Sequence, residues 1–233
     1  MKKKNKAIYL LFLMPFVYFA TACFVVWLVK TSGIYPSGSD TMYHVYRGDY
    51  VYNAIKSGNW YPLYDPAWYN GVEILRYWSP FPAYVMAFCQ YLAGGSQFGA
   101  YLFYIGGVCF LGACVWPFIG RGFNRPYLGA FIGLLWFFMP NNLCAIFIEG
   151  NLARSLSMIF LPVFIYSVYK YLYNHKLRYI PLMVFTFLLM ELCHLGYAGM
   201  VAIAVIIYGI VYIIQKGRKK AALDVVISMI FGF

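Results

Sequence analysis

The chain has 233 residues, of which 63% are hydrophobic, 22% aromatic and only 11% charged. A soluble domain carries about 45–50% apolar and about 25% charged residues, so this composition excludes a soluble globular fold and indicates a membrane protein. The net charge of +11 comes from short basic clusters between apolar runs. That distribution orients membrane spans and attracts anionic lipid, so we expect no nucleic-acid partner.

Six apolar runs have about the 20 residues that cross about 30 Å of hydrocarbon. They predict spanning helices over residues 7–29, 98–119, 127–148, 155–173, 179–195 and 199–215. A seventh run begins near Ala221 and reaches Phe233, the last residue, so we expect the sequence to be part of a longer chain. The fold class predicted is an all-α polytopic transmembrane helical bundle, a single domain over residues 1–233.

The apolar segment 80–94 is too short to cross, because about fifteen residues make a helix of only about 22 Å. If it stays on one side, the basic connections at 120–126 and 174–178 share a side with the basic N-terminus, as the positive-inside rule favours. We therefore expect a re-entrant or interfacial helix at 80–94 and a cytoplasmic N-terminus. Two outer loops, 30–97 and 149–154, then hold five of the seven carboxylates.

The first outer loop carries a polar face on a predicted helix. Ser39 or Asp40 can cap this helix, and Gly58 would stop it. Asp40, His44 and Arg47 follow at i, i+4 and i+7 and share one face. This combination suits a phosphorylated substrate, with Arg47 on the phosphate and Asp40 as base or metal ligand. The same spacing also fits the solvated face of an interfacial helix.

Further candidate residues lie at the other outer connections. Glu149 and Arg154 place an acid and a base between two predicted spans, where Glu149 can act catalytically, pair with Arg154 or favour the start of the next helix. Glu191 and His194 lie near the outer end of their span. Ionisable groups there line a cavity or pair, and a mutual contact at i, i+3 is the simplest account.

Several short motifs resemble one group of membrane enzymes. They are Asp40-Thr41-Met42-Tyr43-His44, the Gly-x-Trp-Tyr-Pro-Leu-Tyr-Asp-Pro stretch at 58–66, Asn70-Gly71 and the Pro-aromatic-Pro run at 80–82. The pattern resembles the N-terminal half of polytopic GT-C glycosyltransferases. It is most similar to their bacterial branch of 6-pyruvoyl-tetrahydropterin-synthase-related membrane proteins, a description that does not imply pterin chemistry.

The resemblance implies sugar transfer from a polyprenyl-phosphate donor to an acceptor at the outer face of the cell membrane. Asp40 and Glu149 match the acidic catalytic positions, and Asp40 would act as base or hold a divalent metal, Mg or Mn. Substrate would be bound by four further residues, His44, Arg47, Arg154 and His194. Glu149 departs from the family's pattern because it stands alone rather than in a paired-acid motif, which puts metal binding in doubt.

Two other functions stay open at this point. A transporter or flippase would need ionisable residues deep in several spans, or helices broken at mid-membrane, and only Glu191 approaches this. A non-catalytic protein on the same scaffold, assisting cell-envelope assembly, would keep the spans and the aromatic loop but tolerate loss of Asp40 and Glu149.

Overall fold

The structure is a computed structural model that describes residues 2–36, 38–68 and 70–230, with the backbone alone for residues 2–11. This part of the chain is helical, and its one β-type pairing is an isolated bridge between Asp65 and Val72. The all-α prediction is therefore confirmed. In chain order the α-helices are α1 (Lys2–Ser32), α2 (Thr41–Lys56), α3 (Phe81–Leu92), α4 (Gln97–Gly122), α5 (Pro126–Leu135), α6 (Pro140–Leu143), α7 (Leu152–Ser157), α8 (Leu161–Asn174), α9 (Tyr179–Cys193), α10 (Leu195–Lys216) and α11 (Lys219–Ile230).

Five helical stretches among the described residues are long and apolar enough to cross a membrane. The protein is thus a multi-pass membrane protein. The stretches are Phe12–Ser32, Gln97–Gly122, Pro126–Ile148, Leu152–Asn174 and Leu195–Lys216.

The fifth predicted span, residues 179–195, is shorter than expected. Helix α9 has 15 residues, about 22 Å, and ends at Cys193. The reason is local: His194 takes an extended conformation (φ −156°, ψ 95°), and its ring accepts a hydrogen bond from the Tyr197 N–H, which starts α10. The predicted seventh span is α11, with 12 described residues, and its last positions, 231–233, lie outside the described residues.

The stretch Pro126–Ile148 is not one regular helix. After α5 and a 3₁₀ turn, Met139 is extended (ψ 123°), because the ring of Pro140 disfavours helical geometry in the residue before it. The Asn142 side-chain amide donates to the Trp136 carbonyl at 2.8 Å, which satisfies an acceptor near the break. The stretch then ends in a π-helical turn, Cys144–Ile148, immediately before Glu149.

The chain divides into two compact units, Met1–Leu156 and Ser157–Phe233. In the first unit α4 packs against α1, α3 and α5. Tyr18 on α1 is fully buried there, and its hydroxyl donates to the Ala130 carbonyl of α5 at 2.8 Å. In the second unit, helices α8 to α11 enclose an apolar core that includes Phe164, Met183 and Met190.

Between the first two spans, α2 and α3 pack on each other with a small apolar core, formed by Val51, Ile74, Leu75, Ala83 and Ala87. Close approach of the two helices depends on a glycine, since a Cβ on Gly48 would lie 2.2 Å from the Met86 side chain. Both helices are too short to span a membrane: α3, which covers most of the segment 80–94, has 12 residues, about 18 Å.

Candidate functional site

Two distant loops of the first unit meet at what we call the loop junction, residues 38–41 and 149–150. The Asp40 N–H donates to the Glu149 carbonyl at 3.0 Å, and the Ser39 hydroxyl donates to the same oxygen at 3.0 Å. Ser39 and Glu149 are 110 positions apart in the sequence. The structure thus brings together the two acidic positions that the sequence singled out.

The junction depends on two glycines. A Cβ on Gly38 would lie 2.6 Å from the Gly150 Cα, and a Cβ on Gly150 would lie 2.1 Å from the Thr41 hydroxyl oxygen. Gly150 also has a positive φ of 67°, which L side chains rarely adopt. No larger residue fits at this contact without displacing one of the loops.

Asp40 occupies the N-cap position of α2, as predicted, and the helix ends where Ser57 and Gly58 were expected to stop it. One detail differs: the Asp40 side chain makes no capping hydrogen bond. The carboxylate is half-buried and has no hydrogen bond or ion pair with the described residues. It therefore differs from the buried carboxylate of Asp65, which accepts hydrogen bonds from the Tyr46 hydroxyl and the Ala67 N–H.

Glu149 forms a bidentate ion pair with Arg154. The two contacts are 2.6 Å, from Nη1 to Oε2, and 3.1 Å, from Nη2 to Oε1. The Arg154 side chain is 17% exposed and the Glu149 side chain 36%. The thiol of Cys144, in the π-helical turn, donates weakly to Glu149 Oε1 at 3.4 Å. The pairing alternative raised by the sequence is therefore the one realised, and the Glu149 charge is balanced in this state.

Arg47 lies on the same helix as Asp40 but is enclosed. It is 1% exposed, and its Nη2 donates to the carbonyls of Trp78 at 3.2 Å and Ser79 at 3.3 Å. Its Nε, also buried, finds no hydrogen-bond partner within the described part of the chain. Burial lowers the pKa of the guanidinium, against the opposing effect of Tyr43, whose ring centroid is 5.4 Å away. A phosphate reaches Arg47 only if residues 78–79 move aside.

The two histidines are placed differently. His44 is 6% exposed on α2, with its ring centroid 5.7 Å from that of Tyr43. His194 belongs to the second unit, where its ring Nδ1 accepts from the Tyr197 N–H at 2.9 Å. Its substrate-binding role stays a prediction.

Metal binding can be tested against the donor set. Among the described residues, no group of three or more His, Cys, Asp or Glu side chains could hold a metal ion. Of the described residues at the junction, Asp40 offers a carboxylate that none of the other described side chains binds. Since Mg²⁺ is often bound by one or two carboxylates plus substrate phosphates, Asp40 fits one ligand position of such a site.

Sequence reasoning missed the glycine contacts and the π-helical turn. Gly38 and Gly150 each lie within two positions of a candidate acid. Glycines are common in loops, however, and the neighbouring sequence does not show that these two glycines touch. The π-helical turn before Glu149 is a feature often found at functional sites. Its signal in the sequence was the Pro140 that breaks the preceding helix.

One comparison with known proteins gives a family. A family model described as "6-pyruvoyl-tetrahydropterin synthase related domain; membrane protein" matches residues 75–233. The protein is therefore a polytopic α-helical membrane protein, and the chain belongs to this family. The resemblance to that branch is confirmed; the wider GT-C relationship stays a prediction. Neither a curated protein nor a solved structure gives a significant match.

Proposed function

We propose that this protein is a membrane glycosyltransferase that moves a sugar from a polyprenyl-phosphate donor to an acceptor at the outer face of the plasma membrane. The observation that carries the proposal is the loop junction: the Asp40 loop is bonded to the Glu149 loop, and the half-buried Asp40 carboxylate has no hydrogen bond or ion pair with the residues that the structure describes. A carboxylate kept free of internal bonds is available for proton transfer.

In the proposed reaction an acceptor hydroxyl gives its proton to the Asp40 carboxylate. The hydroxyl oxygen forms a bond to the anomeric carbon of the donor sugar. The bond from that carbon to the phosphate oxygen breaks, and polyprenyl phosphate leaves with the electron pair. A single displacement of this kind inverts the anomeric configuration.

The negative charge that develops on the leaving phosphate needs a cation. Arg154 is the better placed of the two arginines, because it is partly exposed and lies at the junction, whereas Arg47 is covered. We assign Arg154 to the phosphate, with Glu149 holding its guanidinium in place. His44, Arg47 and His194 remain proposed substrate ligands. In the alternative role of Asp40, as ligand of a divalent Mg or Mn ion, that ion would supply further charge neutralisation when bound.

The test uses the complete protein in liposomes with radiolabelled polyprenyl-phosphate hexoses and pentoses. We expect donor-dependent sugar release, and we expect Asp40→Asn to lower it by about 10²–10⁴-fold, the usual contribution of a general base. The control is Asp49→Asn, which lies on the same helix and accepts a 2.6 Å hydrogen bond from the Gln90 side chain. Undiminished release by Asp40→Asn would remove Asp40 from the mechanism.

A second candidate function is a non-catalytic member of the same scaffold that assists cell-envelope assembly. The ion pair between Glu149 and Arg154 favours it, because the guanidinium occupies both carboxylate oxygens of Glu149. The measurement of sugar release distinguishes the glycosyltransferase from the non-catalytic protein. Absence of sugar release from every donor by the unaltered protein, in liposomes where it is folded, would support the scaffold and contradict the enzyme.

A further inference from the structure

Helix α3 carries an aromatic stripe that begins at the edge of the α2–α3 core, against which Tyr84 packs in part, and continues to exposed rings. Tyr84, Phe88 and Tyr91 lie at i, i+4 and i+7 and therefore share one side of the helix. Phe88 and Tyr91 are 61% and 72% exposed. The opposite side is buried, because α3 packs against both α2 and α4. The exposed part of the stripe, Phe88 and Tyr91, is thus an apolar surface on a helix whose other side is packed.

Trp60, from the loop between α2 and α3, extends this stripe. The Tyr84 hydroxyl donates to the Trp60 carbonyl at 2.7 Å, which fixes the loop backbone beside the helix. The Tyr50 hydroxyl holds the same loop a few residues later, through the Tyr64 carbonyl at 2.7 Å. With its backbone held in this way, the Trp60 side chain is 70% exposed. The exposure is therefore imposed by hydrogen bonds and is not that of an unanchored loop.

The chemistry of the stripe fits lipid better than sugar. Helix α3 contains no Asp, Glu, Lys or Arg, and its exposed residues include Leu92, which is 51% exposed. Aromatic residues that bind a glycan are accompanied by polar groups that bond its hydroxyls, whereas Trp and Tyr beside aliphatic residues are typical of the membrane interface.

The position of α3 beside a candidate span also favours contact with lipid. Helix α3 ends at Leu92, five positions before Gln97, where the candidate span α4 begins, and the two helices pack together. The stripe therefore lies on a helix that packs directly against a candidate membrane span. We propose that the aromatic stripe of α3, with Trp60, contacts the lipid of the bilayer that holds the spans, and anchors the α2–α3 region to its surface. This contact is independent of the proposed sugar transfer.

The experiment places an environment-sensitive fluorescent thiol probe on the stripe of the full chain in liposomes. The variants are Phe88→Cys and Trp60→Cys, with Asn53→Cys as control, an exposed polar position on α2. A sample without an introduced cysteine gives the background from the six native cysteines. Each variant is measured in liposomes with and without nitroxide-labelled lipid, after gel filtration in detergent has shown that it is folded.

We expect lipid nitroxides to quench the probe at positions 88 and 60 at least about twofold more than at position 53, with a blue-shifted emission, because an interfacial residue lies within reach of the lipid. Quenching no stronger than at position 53 would overturn the proposal. A probe at position 60 that responds to added oligosaccharide and not to nitroxide lipid would also overturn it, in favour of a sugar-binding surface.

Discussion

The two ion pairs of the first unit join the same kinds of side chain but differ in burial. Glu149–Arg154 and Glu73–Arg76 both have a closest contact of 2.6 Å. Arg154 is 17% exposed and bonds both carboxylate oxygens, whereas the Arg76 side chain is 67% exposed. An exposed pair is weakened by solvent and by side-chain entropy, while a bidentate, partly buried one is held in place.

We therefore expect Arg154→Ala to lower the free energy of unfolding by about 1–2 kcal/mol, because it leaves the Glu149 carboxylate half-buried without its counter-charge. Arg76→Ala is the matched control, and because that pair is exposed to solvent its loss should shift the melting temperature less. Both are measured as shifts of the melting temperature in one detergent. Equal shifts would show that burial does not separate the two pairs.

Gly150 is the residue on which the loop junction most depends. Gly150→Ala should destabilise the protein by about 2–4 kcal/mol, since it adds a contact below 3 Å with Thr41 to the cost of a positive φ. Gly94→Ala is the control, because Gly94 has a similar φ of 65° but open space around it, and we expect about 1 kcal/mol. Similar melting temperatures for the two variants would contradict the close approach of the loops.

At the scale of elements, the loop between α2 and α3 is fixed by one buried acid. Asp65 is 2% exposed. Its backbone N–H and carbonyl bond those of Val72, each with an N···O distance of 2.9 Å, and its carboxylate accepts a hydrogen bond from the Tyr46 hydroxyl. Burial, together with this hydrogen bond, raises the pKa of Tyr46 to about 12. The loop that presents Trp60 is thus coupled to α2 through a phenol that must stay protonated.

This coupling predicts a loss of stability at high pH. The phenol ionises near pH 10 in the unfolded chain but only near pH 12 in the folded one, so its contribution is complete below pH 10 and is lost as the pH rises through 12. Tyr46→Phe lacks this contribution at every pH. The difference in melting temperature between the unaltered protein and Tyr46→Phe should therefore shrink between pH 9 and pH 12. A constant difference would contradict the coupling.

Local patterns predicted the elements well and their ends less well. The α2 boundaries follow from Asp40, Ser57 and Gly58, which act within a few residues. The fifth span was predicted to continue to residue 195, because hydropathy does not register that His194 leaves helical geometry to cap the next helix. Caps are decided by backbone conformation, and a polar residue near a helix end is compatible with either outcome.

For the whole molecule, orientation in the membrane follows from the distribution of charge. Thirteen of the eighteen Lys and Arg fall in segments assigned to the cytoplasmic side, so residues 120–126 should face the cytoplasm and the α2–α3 region the outside. We expect an impermeant thiol reagent on intact cells to label Ser57→Cys and not Phe123→Cys. Labelling at position 123 would show the opposite orientation in the membrane. The α2–α3 region would then face the cytoplasm, which contradicts a reaction at the outer face.

The sequence by itself determined the class of protein and the elements: a multi-pass helical membrane chain, with Asp40, His44 and Arg47 on one helix. These follow from hydropathy and from a 3.6-residue period, both of which act over short distances along the chain. Only the tertiary structure decided that the Asp40 loop bonds the Glu149 loop, that Arg154 pairs with Glu149, and that Arg47 is enclosed. Those outcomes depend on how the spans pack, which sets contacts between residues about a hundred positions apart. No local pattern contains that information.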